Sequence, residues 1–204
     1  MYKQKMYQKV TKINPNFVFN IKNSHSLDSL LEKLREKNHY TYQHSLNVYM
    51  YSISIGEKLK LKTTELKQLG QGALLHDIGK LKMSDKILKK PDSLTELEYQ
   101  KIKKHPIQGV KIIGNNKNIS NLKTAILEHH ENFDGSGYPF GLSGENIALN
   151  ARIIRIADSF DTMVSNRVYQ SALPIEKAIT ELKENAGQQF DPEIVKSFAE
   201  LILD

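Results

Sequence analysis

Apolar residues recur at spacings of three and four along almost the whole chain after Leu27, and this one regularity restricts the fold to packed helices. Leu27, Leu30, Leu31 and Leu34 begin the pattern, which places them on one helical face. A second helix is expected from about Tyr40 to Lys60. A third begins at Thr63 or Thr64, either of which can cap it, carries Leu66, Leu69, Ala73 and Leu74 inward, and runs to about Gly79. Thr95 and Glu98 form a capping box for the next helix, with His105-Pro106 marking its end, because the residue before proline avoids the α region. A further helix is expected to include Ile126 to His130. Periodicity resumes through Ile153, Ile154, Ile156 and Ala157, then in Ile175 to Leu182 and, after Asp191-Pro192, in Ile194 to Leu203.

The exception is Glu131 to Asn150, where Gly135, Gly137, Pro139, Gly141 and Gly144 predict an ordered loop of tight turns. Residues 1–25 are polar and aperiodic, and we read them as an N-terminal extension of unassigned role preceding one domain over residues 26–204. A chain of 204 residues can bury a core around an enzyme pocket. No apolar run approaches the ~18 residues that span a bilayer, and the N-terminus lacks the apolar centre of a signal peptide. A cytoplasmic protein without membrane insertion is the expectation. The net charge of +6 suits an anionic partner, but the lysines are dispersed as solvated helix faces and no nucleic-acid-binding signature accompanies them, so no polymeric nucleic acid is expected.

Cysteine is absent, so any transition metal must be held by imidazole and carboxylate. Of seven histidines, His44, His76, His105, His129 and His130 each fall in or beside a predicted helix with apolar neighbours, accompanied by Asp77 and Asp158. Any one of them alone reads as an ordinary core or surface histidine, as His25 and His39 do. As a set they point to metal, because burying so many polar groups without ligation is costly. Neutral imidazoles and ionised carboxylates suit iron, manganese or zinc, and adjacent pairs such as His76-Asp77 and His129-His130 can serve different ions of one cluster.

The stretch His76-Asp77-Ile78-Gly79-Lys80, then His105-Pro106, then His129-His130-Glu131-Asn132-Phe133-Asp134-Gly135-Ser136-Gly137-Tyr138-Pro139 resembles the HD-GYP family of cyclic dinucleotide phosphodiesterases, from about Tyr40 to Leu203. The resemblance implies an all-α, HD-type helical bundle in which His44, His76, Asp77, His105, His129, His130 and Asp158 hold two divalent metal ions, iron or manganese first and zinc as the alternative, with Asp77 bridging. It implies metal-assisted hydrolysis of cyclic di-GMP to the linear dinucleotide, with GMP as the product of a second stage, within bacterial signalling and with a signalling protein as a partner. Two cations can clamp a phosphodiester and stabilise charge on its leaving oxygen. Another cyclic dinucleotide, a broader HD-type phosphohydrolase, and a noncatalytic dinucleotide-binding module are the competing readings.

Lys80 follows Asp77 by three residues and His76 by four, so one more helical turn would set its ammonium over the same face, near a substrate phosphate. Gly137 and Pro139 are expected to shape the pocket wall, with the Tyr138 ring available for packing against substrate. Asp161, one turn after Asp158, suits a carboxylate that orients a ligand histidine. Ser165-Asn166-Arg167-Val168-Tyr169-Gln170 resembles the family segment Arg-Pro-Tyr-Arg. Arg167 and Tyr169 match as substrate contacts, whereas Val168 and Gln170 depart, and Gln170 removes a charge-assisted phosphate contact. Tyr40 stands where some family members place a glutamate for a third metal, so two metals are expected.

Overall fold

A computed structural model describes residues 25–90, 92–114, 119, 122–166 and 172–203. Those residues form helices α1 (His25–Lys37), α2 (His39–Lys58), α3 (Thr63–Leu75), α4 (Asp85–Leu88), α5 (Glu96–Ile102), α6 (His105–Ile113), α7 (Lys123–Glu128), α8 (Leu149–Val164), α9 (Ile175–Glu184) and α10 (Pro192–Leu203), with a 3₁₀ turn at Ile78–Lys82. There is no β-strand among them. The all-α class expected from the periodicity is what the chain adopts. Among the described residues, no helix is long and apolar enough to cross a membrane. Apart from His25, the N-terminal extension lies outside the described residues.

α2 is the axis of the bundle. Asn38 caps it, its side-chain oxygen accepting the Thr41 N–H at 3.1 Å. Its buried face is wide, because α1, α3, α8 and α10 all pack on it. Tyr51 of α2 meets Phe160 of α8 and Phe198 of α10 in edge-to-face contacts at 5.1 and 6.3 Å, and all three rings are sealed from solvent. This aromatic wedge fixes α8 against α2, and with it the relative positions of His44, Asp158 and Asp161.

Four helix ends differ from expectation, three of them at a candidate ligand. α3 is preceded by Lys62 rather than by a threonine cap, the Glu65 carboxylate accepting the Lys62 N–H at 2.7 Å. It stops at Leu75 instead of continuing to Gly79, and His76 and Asp77 occupy the junction with the 3₁₀ turn. His105-Pro106 opens α6 rather than closing α5, because proline lacks an N–H and fits a first helical turn, where none is needed. α7 ends at Glu128, so His129 and His130 follow the helix rather than sit within it. The capping box at Thr95 and Glu98 is present, with Thr95 N–H bound to Glu98 at 2.8 Å.

The loop after His130 is held by the buried carboxylate of Glu131 and the half-buried one of Glu128. Glu131 accepts the N–H groups of Phe140 at 2.7 Å and Leu142 at 3.1 Å, and Glu128 accepts that of Ala148 at 2.8 Å. Gly137 is required by close approach: a Cβ there would lie 2.2 Å from the Asn132 nitrogen. The Tyr138-Pro139 peptide is cis. Arg152 of α8 ties the far side of the loop down, through Asp191 at 2.5 Å and the Ile147 carbonyl at 3.0 Å.

Candidate metal centre

Helix ends converge on one buried cluster. His76, Asp77, His105 and His129 are at most 1% exposed, and His44 is 5% exposed. Candidate ligand atoms fall into two groups, His44 with His76 and Asp77, and Asp77 with His105, His129 and His130. Asp77 belongs to both. Asp158 lies beside the first group, its Oδ1 3.0 Å from His44 Nε2.

The hydrogen bonds fix which imidazole nitrogens face inward. His76, His105 and His129 each direct Nδ1 at the carbonyl oxygen three residues earlier, Ala73, Ile102 and Ile126, at 2.7–2.8 Å. A carbonyl only accepts, so each Nδ1 carries the proton and each Nε2 presents a lone pair to the cluster. His105 Nε2 and His129 Nε2 then face each other at 3.1 Å, and two lone pairs cannot bond to one another. His76 Nε2 and Asp77 Oδ1 are also sealed from solvent without a hydrogen-bond partner. Buried, acceptor-only atoms directed at one point are the donor set of a divalent cation, and the residues present therefore fit a metal centre.

The electrostatics agree. Burial, reinforced by the neighbouring imidazoles, holds His129 and His130 well below the usual histidine range, which keeps them neutral and available as ligands at neutral pH. Burial alone would raise Asp77, but Lys80 and the adjacent histidines outweigh it and hold the carboxyl well below its usual range. Asp158 stays ionised for the same reason, its burial outweighed chiefly by His44. Burial disfavours charge on His44 too, yet Asp158 and Asp161 raise its pKa to about 9. The space between His44 Nε2 and Asp158 therefore favours positive charge, a proton or a metal.

Asp161 adopts an orienting geometry. Its Oδ2 accepts His44 Nδ1–H at 2.8 Å, and its Oδ1 accepts from Asn47 at 2.9 Å and Ser165 at 2.9 Å. Asp161→Ala is expected to weaken metal binding by about 10–100-fold while leaving the helical fold intact, as read by competition with a chelator and by circular dichroism. Unchanged affinity would show that His44 needs no partner.

Lys80 reaches Asp77 from the 3₁₀ turn rather than from a prolonged helix, with Nζ 2.5 Å from Oδ2. Tyr138 stacks on His130, ring centres 4.8 Å apart and planes 24° apart, so it packs against the candidate ligand cluster itself. Gly137 and Pro139 lie in the loop beside it, and Tyr40 stacks parallel to His44 at 6.5 Å. Arg167, Val168, Tyr169 and Gln170 lie outside the described residues.

Sequence reasoning missed Asn47, Lys103, Glu131 and Arg155. Asn47 follows His44 by one helical turn and Arg155 precedes Asp158 by one, a spacing that would have flagged both. Lys103 is separated from its aromatic neighbour Tyr138 by a long stretch of chain, and no local pattern announces that contact.

The HD domain family matches residues 27–194. A cyclic di-GMP phosphodiesterase of Pseudomonas aeruginosa is 36% identical over 173 residues, covering 84% of this chain and 42% of that protein. One of Thermotoga maritima is 39% identical over 163 residues, covering 79% and 44%. A 3′3′-cGAMP-specific phosphodiesterase of Vibrio cholerae is 39% identical over 157 residues, covering 77% and 34%. The chain thus spans less than half the length of these relatives. Among solved structures, an HD-GYP-type protein of Bdellovibrio bacteriovorus has a TM-score of 0.67 at 20% identity, covering 99% of this chain and 69% of that one. The HD domain of a Listeria monocytogenes phosphodiesterase in complex with cyclic di-AMP has a TM-score of 0.63 at 21% identity, covering 86% and 93%, and both neighbours share the fold. The chain belongs to the HD domain family, in the HD-GYP branch that its motifs resemble.

Proposed function

We propose that this domain is a metal-dependent phosphodiesterase that hydrolyses cyclic di-GMP to its linear dinucleotide. The observation that carries the reading is the shared Asp77 between two groups of buried, inward-facing acceptors. His44, His76, Asp77 and Asp158 would hold one cation, and Asp77, His105, His129 and His130 the other. Iron or manganese suits this donor set best, and zinc accepts the same ligands. Such a pair supplies Lewis acidity toward a phosphodiester and acidifies a water nucleophile. Water adds to phosphorus, one ester P–O bond breaks, and the leaving oxygen takes up a proton.

The chain's own contribution is placement. The Nδ1–carbonyl bonds and the Asp161–His44 bond lock the imidazoles before substrate arrives, so no reorganisation is needed during the reaction. Lys80 holds Asp77 and is partly exposed, which lets its ammonium share a substrate phosphate oxygen. Lys80→Ala is expected to retain metal and to slow turnover by roughly 10²-fold. An unchanged kcat and KM would remove Lys80 from the mechanism.

Cyclic di-GMP is favoured because relatives from several bacteria bear that activity in their names. The 39% identical cGAMP-specific relative supports a second reading, in which the substrate is 3′3′-cGAMP. The deciding experiment is turnover by anaerobically prepared protein loaded separately with ferrous iron and manganese, with products resolved chromatographically. A linear dinucleotide from cyclic di-GMP supports the first reading, and one from 3′3′-cGAMP alone the second. Neither product from a metal-filled protein would overturn both in favour of a binding module.

A further inference from the structure

The charged groups of the site are mostly neutralised by a neighbour. Lys80 pairs with Asp77, His44 with Asp158 and Asp161, and Arg152, on the same helix as Asp158, with Asp191. Two cations beside the cluster differ. Among the described residues, neither Arg155 nor Lys103 has a carboxylate within 4.0 Å.

Both stand at the His130 end of the site. Arg155 gives one Nη2 hydrogen bond to Asn132 Oδ1 at 2.9 Å, its Nη1 lies 3.4 Å from His130 Nδ1, and its Nε is sealed from solvent without a partner. Lys103 Nζ lies 4.8 Å from the centre of the Tyr138 ring and 5.7 Å from that of Tyr99. Tyr138 in turn stacks on His130. A cation over an aromatic face gains some stabilisation, but neither arrangement replaces a counter-charge. Burial makes charge on Arg155 costly, and Asp158 offsets only part of that cost.

A guanidinium beside His130 and an ammonium over Tyr138, the ring that stacks on His130, adjoin a phosphodiesterase centre and match an anion with two acceptor oxygens. Lys80 serves the Asp77 end, so the two free cations address a different part of the ligand. A cyclic dinucleotide carries two phosphates, of which one is cut at a time. We infer that Arg155 and Lys103 form an accessory anion subsite at the stacked pair His130 and Tyr138, which receives the second phosphate of a cyclic dinucleotide while the first is cut at the His/Asp groups. The half-exposed Tyr99 ring offers a stacking face for a base beside it. The inference rests on the phosphodiesterase reading and adds to it a preference for two-phosphate rings over simple diesters.

The test measures kcat and KM of metal-loaded wild type, Arg155→Met and Lys103→Met with cyclic di-GMP, with 3′3′-cGAMP, and with the one-phosphate diester bis(4-nitrophenyl) phosphate. Calorimetry measures cyclic dinucleotide binding to the same proteins in chelator. Each substitution is expected to raise KM for the cyclic dinucleotide about tenfold and to weaken chelator-resistant binding equally, so that selectivity over the one-phosphate diester falls by the same factor. Equal losses on both kinds of substrate would overturn the subsite and make Arg155 a brace for Asn132, and unchanged selectivity would overturn it too. If Arg155→Met fails to fold, Arg155→Lys and Lys103→Met carry the same comparison. A wild type that neither cuts nor binds either cyclic dinucleotide refutes the phosphodiesterase reading before any variant is made, and the subsite with it.

Discussion

Asp77→Ala is expected to strip metal from the protein and to lower turnover by roughly 10³-fold or more. Loss of a residue that merely orients a ligand typically costs ~10–100-fold in metal affinity or activity, and Asp77 is the carboxylate common to both ligand groups. Its removal also leaves Lys80 without its partner beside a cluster of imidazoles, which repels any cation that enters. The measurement is metal content by elemental analysis after dialysis, together with turnover of the cyclic dinucleotide and circular dichroism. Full metal content with full activity would sink the two-group centre. Loss of metal with retained helicity is the expected pattern, because the Asp77 side chain lies at a helix junction and contributes nothing to the aromatic wedge between α2, α8 and α10.

Gly79→Ala is expected to destabilise the protein by about 3 kcal/mol or more, through overpacking that no rotamer can relieve. A Cβ on Gly79 would stand 1.8 Å from the His105 carbonyl oxygen and 2.7 Å from the Gly109 nitrogen. All of these contacts are backbone, so the 3₁₀ turn and α6 must separate. His105 would move with α6, and the 3.2 Å approach of its Nε2 to Asp77 would be lost. Thermal unfolding should shift down by about 6–12 °C for a domain of this size, with metal affinity falling in parallel. A melting temperature within a degree of wild type would mean that the two backbones do not meet. The contrast with Asp77→Ala is diagnostic, since that change removes metal without disturbing packing and this one disturbs packing first.

Much of the bundle was legible because helical periodicity is local. The apolar positions of α2, α8, α9 and α10 repeat within a few residues, and the capping box at Thr95 and the Asp191-Pro192 start are local chemistry. The helix ends at the centre were less legible. His76, Asp77, His129 and His130 lie where α3 and α7 stop, and they stop there because the inward-facing Nε2 geometry and the Gly79–α6 contact are tertiary. Pro106 could close one helix or open the next on its own chemistry, and packing of α6 on the 3₁₀ turn decided for the second.

The candidate ligand set was proposed from residue types and order: a cysteine-free chain with five clustered histidines and two aspartates offers few other ways to hold buried polarity, and the motif around His76 and His129 pointed to the family that implies it. What only the tertiary structure decided was how those groups face one another. Which nitrogen carries the proton depends on a carbonyl three residues back. The sharing of Asp77 depends on α6 and α7 arriving from different parts of the chain, and the absence of a carboxylate beside Arg155 and Lys103 among the described residues depends on how those elements pack. Periodicity and motif report along the chain, whereas charge balance and lone-pair direction are properties of space, and no spacing in one dimension encodes them.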